Sequence, residues 1–153
     1  MNRYKIIISF LCCFALVHVQ AQQPEVDKGF VIVHSTKDYN AALQTVHEAS
    51  QKLNTEIDLR GYYPGEESGL KTDFVCGCGE AHGYVARGRW DDGTYISIEY
   101  SDRYQGFAKG YYIVVLASGE KTSEILTETL AKAKKHYSDA YIKHTSVYIG
   151  CMH

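Results

Sequence analysis

The densest group of potential metal ligands comprises Cys76, Cys78 and His82, and the sequence ends with Cys151 and His153. Thiolate and imidazole ligands in that number could hold zinc, which takes four. Only one residue separates Cys76 from Cys78, whereas structural zinc sites usually have two to four residues between paired cysteines. We therefore favour a disulfide from Cys76 or Cys78 to Cys151, which would contribute about 2–4 kcal/mol to stability. No bound metal or cofactor is expected.

A second group of reactive side chains lies between Arg87 and Gly93, where two arginines, the only tryptophan and two aspartates occur within seven residues. An exposed Trp beside guanidinium groups can stack on a sugar ring and donate hydrogen bonds to its hydroxyls. The alternative is a structural turn, because Asp-Gly is a typical turn sequence. We predict a ligand-binding surface of arginines and aromatic residues: Arg87, Arg89, Trp90, Tyr95, Tyr111 and Tyr112.

Three carboxylates could in principle catalyse a reaction. Asp91 or Asp92 with Glu99 would form the acid and base pair of a glycosidase if they faced each other. Their order in the sequence does not establish such a pair. The chain also lacks a Ser-centred elbow, a Lys-containing phosphate loop and a His-Glu-x-x-His motif. We therefore expect a binding protein without catalytic residues, and we keep a secreted hydrolase as the alternative.

The composition is that of one ordinary globular domain. Of 153 residues, 45% are apolar and 22% are charged, and the 13 tyrosines favour β structure. Sixteen basic and 18 acidic residues give a net charge of -2, so no nucleic-acid partner is expected.

The first residues have the pattern of a secretory signal peptide. Arg3 and Lys5 precede an apolar run over residues 6–17, and Val19 and Ala21 fit a cleavage site after Ala21. A run of about a dozen residues is too short for a membrane span, which needs about 20. We predict a signal peptide over residues 1–21 and a single exported domain over residues 22–153, without a membrane span. That domain would be periplasmic or secreted, where disulfides can form.

Two β-α-β units are predicted in the exported domain. Apolar runs at Gly29–Val33 and Gly110–Leu116 indicate buried strands. A helix should follow each strand, because apolar residues recur in steps of four, three and four. These stripes consist of Ala42, Val46, Ala49 and Leu53 in the first helix and Leu126, Leu130, Ala133 and Tyr137 in the second. A second strand is expected after each helix, at residues 56–59 and 141–149.

A Gly-rich insertion, about residues 64–109, separates the two units. Within it, runs at residues 83–87 and 95–100 flank Asp91–Gly93, which predicts a β-hairpin. The whole pattern predicts an α+β fold in which two helices cover one face of an antiparallel sheet. This arrangement is ferredoxin-like in the broad sense, with the hairpin extending the sheet or projecting from its edge.

The pattern also resembles the SPOR-like fold of peptidoglycan-binding domains. The residues that carry the resemblance are Gly29–Ser35 with Ala41 and Ala42, and Gly110–Ala117 with the last strand to Ile149. It covers residues 29–62 and 110–149. Members of that family bind glycan strands stripped of their peptides along the sheet face. The resemblance therefore implies an exported, non-catalytic module for a cell-envelope glycan. A protein-binding or inhibitor module, using the insertion to contact its partner, is a further alternative.

Overall fold

The computed structural model describes residues 24–65, 69–73 and 83–150. The predicted signal peptide lies outside these ranges, as do Cys76, Cys78, His82 and Cys151, so the predicted disulfide stays a prediction. Among the described residues, no helix is long and apolar enough to cross a lipid bilayer.

The described chain has an α+β fold, as predicted, with two α-helices and two antiparallel sheets. Four strands form the main sheet in the order β4-β5-β1-β6, and two short strands, β2 and β3, form a separate hairpin. The elements are β1 (Glu25–Thr36), α1 (Tyr39–Leu53), β2 (Tyr63–Gly65), β3 (Gly69–Lys71), β4 (Gly93–Tyr100), β5 (Tyr112–Glu120), α2 (Glu124–Ala133) and β6 (Tyr141–Tyr148).

Local sequence explains where α1 begins and ends. Asp38 precedes the helix, and its Oδ1 accepts a hydrogen bond from the Asn40 backbone N–H at 2.9 Å. This contact satisfies one of the N–H groups that lack a partner in the first turn. At the other end Asn54 adopts a left-handed conformation, with φ of 49°, and its N–H donates to the Ser50 carbonyl. Asp38 and Asn54 therefore bound α1.

Both predicted helix stripes contribute to one hydrophobic cluster. Ala42, Val46 and Ala49 of α1 and Leu126 and Ala133 of α2 are buried in it, with alternate residues of the central strands. Leu53, Leu130 and Tyr137 pack against its margin. Removal of this apolar surface from water stabilises the contact between helices and sheet.

A second cluster contains the intervening residues of the same strands. Successive side chains of a strand point to opposite faces, so Phe30 and Ile32 lie on the other face from Val31. Phe30 packs edge-on against Tyr104 of the insertion, with ring centroids 5.0 Å apart. Ala86, Phe107 and Tyr111 also pack against this cluster. The insertion therefore covers part of the second sheet face.

The predicted strand pairing around the insertion was wrong in two places. Residues 56–59 do not form a strand of the main sheet, since only Ile57 makes a bridge, parallel to Ile96. The second run of the predicted hairpin is β4, whereas the first run, residues 83–87, is not a strand.

Competition for one edge of β4 explains this difference. β4 pairs with β5 on one side. On its other side, Asp58 N–H donates to the Ile96 carbonyl at 2.9 Å, and Ile96 N–H donates to the Glu56 carbonyl at 2.8 Å. Residues 56–58 thus occupy backbone groups that a strand at residues 83–87 would need. The segment around Arg87 is instead held by side chains.

Candidate functional site

An exposed tryptophan lies at the tip of a turn that we call the anchored turn, residues 87–93. Trp90 is 67% exposed, the largest value among the exposed large hydrophobic residues of the described chain. The Arg89 guanidinium lies 4.5 Å from the Trp90 ring and 4.8 Å from the Tyr148 ring. Its Nη2 also donates to the Gly150 carbonyl. Arg89 therefore contacts the Trp90 ring and connects it to the chain at the end of β6.

Two carboxylates hold the turn next to Trp90. Asp91 Oδ1 accepts from the Gly88 N–H at 3.1 Å, and its Oδ2 lies 2.6 Å from Arg60 Nε. Asp92 pairs with Lys28 Nζ of β1 at 2.5 Å. The backbone on the C-terminal side of Trp90 is therefore attached both to the sheet and to the segment after α1.

Arg87 anchors the other side of the turn from inside the protein. Its side chain is completely buried and its guanidinium stacks 3.5 Å from the Tyr95 ring centroid. It donates to the Ser118 and Ser97 hydroxyls at 3.0 and 2.9 Å and to the Gly93 carbonyl at 2.9 Å. Burial lowers the pKa of Arg87. Because its N–H groups find protein acceptors, this charged side chain is tolerated inside the fold.

Glu99 of β4 is the anionic centre of a buried network that also contains Arg60, Tyr84, Arg87 and Tyr104. Its carboxylate is completely buried and accepts from Arg60 Nη1 at 3.0 Å and from the Tyr84 hydroxyl at 2.5 Å. The Tyr104 hydroxyl and the Arg87 N–H donate to it at 3.3 Å. These four donors satisfy the hydrogen-bonding capacity of a carboxylate that has no contact with water.

Arg60 lies between this buried centre and the surface. Desolvation acts to lower its pKa, but attraction to Glu99 and Asp91 outweighs that effect, so the pKa of Arg60 is raised. Its Nη2 also donates to the Val85 carbonyl at 3.1 Å. Arg60 thus connects the buried carboxylate to the anchored turn.

The two buried tyrosines of the network predict a loss of stability at alkaline pH. Burial raises the pKa of both Tyr84 and Tyr104 well above the usual value of 10.0. Their protonated forms stabilise the folded state fully below about pH 10, and this contribution is lost as pH rises through the folded-state pKa.

Absorbance of tyrosinate and circular dichroism during an alkaline titration would measure this effect. We expect Tyr84 and Tyr104 to ionise only together with unfolding. Replacing Tyr84 by Phe should remove one of these late-ionising groups. Ionisation of all tyrosines near pH 10 with the fold intact would contradict the prediction.

The six predicted ligand residues do not form one surface. Arg89 and Trp90 are together at the tip of the anchored turn, whereas Arg87 is buried beneath it and Tyr95 is half-buried against Arg87. Tyr112 packs edge-on against Tyr39 of α1, with ring centroids 5.4 Å apart. Tyr111 contacts the second cluster instead. Only the pair at the tip combines an exposed aromatic ring with a guanidinium group.

The three carboxylates considered for catalysis all have cationic partners. Asp91 and Glu99 contact Arg60, and Asp92 contacts Lys28. Within residues 24–65, 69–73 and 83–150, no three His, Cys, Asp or Glu side chains form a group that could hold a metal ion.

Sequence reasoning missed Arg60 and Tyr148, which support the site from distant parts of the chain. Arg60 is 39 residues from Glu99 and follows the segment that contacts β4. Its positive φ of 58° and the adjacent Gly61 are signs of a tight turn. They give no indication of the ion pair. No protein-family model matches the chain, and neither a curated protein nor a solved structure matches it significantly.

Proposed function

We propose that this protein is a non-catalytic carbohydrate-binding module, and that Trp90 and Arg89 contact the glycan. The observation that carries the proposal is the exposed Trp90 ring stacked on a guanidinium whose other contacts fix its position. Sugar rings have apolar faces edged by hydroxyl groups. An indole face beside a planar set of N–H donors complements both features.

The buried network supports this proposal because it orders the turn before any ligand arrives. Binding to a flexible loop costs conformational entropy, and a loop already held in place avoids much of that cost. Arg87 and Asp91 hold the two sides of Trp90 through contacts with the sheet and with Arg60. The Trp90 side chain at the tip is therefore the part of the turn that remains accessible to a ligand.

The fold suggests which surface a glycan would use. The strand order and the cluster shared by α1 and α2 support a ferredoxin-like arrangement with both helices on one face, as the SPOR resemblance implies. Residues of the insertion, including Tyr104 and Phe107, pack on the other face. In this proposal the anchored turn therefore replaces the open sheet face as the main contact. A peptidoglycan strand in the cell envelope remains the expected ligand, reached by export of residues 22–153.

The hydrolase alternative has less support. A glycosidase needs two carboxyl groups on either side of the scissile bond. Glu99 is completely buried, and Asp91 and Asp92 are each ion-paired. These contacts indicate that the three carboxylates stabilise the structure.

Retention on purified peptidoglycan, before and after amidase treatment, tests the proposal. We expect the exported chain to bind the stripped glycan, and Trp90→Ala to weaken binding about tenfold through loss of the stacking surface. Ile125→Ala removes another exposed apolar side chain, on α2, and should leave retention unchanged.

Three outcomes would contradict the proposal. Release of soluble sugar would favour the hydrolase. Equal retention of wild type and Trp90→Ala, or no retention on either material, would exclude Trp90 as the glycan contact. The last result would direct the search to a protein partner.

A further inference from the structure

A small groove with aromatic walls lies away from the anchored turn. It has a volume of about 180 Å³ and is lined by Phe107, Tyr111, Ile113 and Tyr141, with no residue of the anchored turn among its lining residues. We call it the aromatic groove. Its walls come from the loop between β4 and β5 and from the start of β6.

Two lysines flank the aromatic groove. Lys37 Nζ lies 5.4 Å from the centroid of the Tyr111 ring, and Lys143 Nζ lies 5.6 Å from that of Phe107. Attraction between the ammonium groups and the ring faces favours these positions. Within the described part of the chain, the ion pairs involve other residues, so neither lysine has a carboxylate within 4.0 Å. Two positive charges therefore lie next to aromatic rings that line the groove.

The groove also offers polar groups at its rim. Tyr141 is 44% exposed, and in the described residues the hydroxyls of Tyr111 and Tyr141 make no hydrogen bond to another side chain or to the backbone. Each hydroxyl can donate one hydrogen bond and accept others. The groove thus combines aromatic lining residues and two free hydroxyls with ammonium groups next to two of its rings.

We infer that the aromatic groove binds an acidic sugar, a pyranose ring that carries a carboxylate. The ring face would lie on the aromatic walls, the hydroxyls would contact Tyr111 and Tyr141, and the carboxylate would pair with Lys37 or Lys143. A neutral sugar would leave both ammonium groups without a partner, and a simple anion would not use the aromatic walls. This inference is independent of the role proposed for Trp90.

Calorimetric titration of the full chain with trigalacturonate tests the inference. Its methyl ester is the matched probe, because it keeps the ring and lacks the negative charge. We expect the ester to bind more weakly. Replacing both lysines, as Lys37→Gln with Lys143→Gln, should weaken trigalacturonate binding about three- to thirtyfold, and added salt should weaken binding to the wild type.

The control replaces two exposed lysines elsewhere, as Lys132→Gln with Lys135→Gln, and should leave the affinity unchanged. Equal binding of acid and ester, an unchanged affinity in the Lys37 and Lys143 double variant, or no binding of trigalacturonate would overturn the inference. Loss of binding in Trp90→Ala would likewise overturn it, by showing that the acid uses the anchored turn.

Discussion

Glu99→Gln should lower the free energy of unfolding by about 3–5 kcal/mol, the range expected when one partner of a buried ion pair is removed. The substitution keeps the shape of the side chain but removes its charge. Arg60 would lose its buried counter-ion, and Arg87 would keep its positive charge in the interior without the nearby carboxylate. Urea unfolding followed by circular dichroism would measure the change.

Glu128→Gln on α2 is the matched control, because Glu128 is exposed and the same atoms change. Its effect should stay within about 0.5 kcal/mol, as at other exposed sites. A loss below about 1 kcal/mol for Glu99→Gln would mean that the buried network does not depend on the negative charge.

Arg87→Lys should cost about 3 kcal/mol or more, although the positive charge is kept. A lysine has three donors on one nitrogen and cannot reproduce the planar arrangement with which Arg87 reaches separate acceptors. The Gly93 carbonyl and the Ser97 and Ser118 hydroxyls would compete for one ammonium group. Each buried group left without a partner costs about 1–3 kcal/mol.

The only tryptophan provides a local measurement of the same substitution. Since Arg87 holds the Gly93 end of the anchored turn, Arg87→Lys should lower the fluorescence anisotropy of Trp90 before global unfolding. Arg103→Lys is the control, at an exposed arginine on the short helical segment after β4. Unchanged stability and anisotropy in Arg87→Lys would show that the turn is held by other contacts.

Local sequence predicted the helices and the central strands well because short-range physics determines them. The stripe from Ala42 to Leu53 matches the helical period, and Asp38 caps the start of the helix. The apolar run around Val31 required burial on both faces, which β1 has between β5 and β6.

Local sequence could not predict which segment lies along the outer edge of β4. Residues 56–59 and 83–87 both have strand-like patterns, and local preference does not decide which of them contacts β4. The outcome depends on long-range packing, since Arg87 contributes its side chain to the sheet interior. Ser97 and Glu99 alternate with Ile96 and Ile98, a pattern typical of a half-exposed strand. The insertion also covers the face that carries Ser97 and Glu99, so these polar side chains are buried.

The six predicted ligand residues lie in different surroundings for a simpler reason. Tyr112 begins β5 and Tyr111 directly precedes it, and neighbouring residues of an extended chain point in opposite directions. Their contacts with different clusters follow from that alternation. Tyr148 was missed because its approach to Arg89 depends on how β6 ends beside the anchored turn.

The position of β1 in the sheet has a consequence for the rate of folding. This first strand of the sheet pairs Lys28 with Glu120 of β5 and Glu25 with Tyr148 of β6. During synthesis, β1 emerges long before either partner exists. Closing such long loops is slow, and domains dominated by distant pairings fold in about milliseconds to seconds. The apolar segment around Val31 therefore has no β5 partner until the chain through Glu120 has been made, and no β6 partner until the chain through Tyr148 has been made.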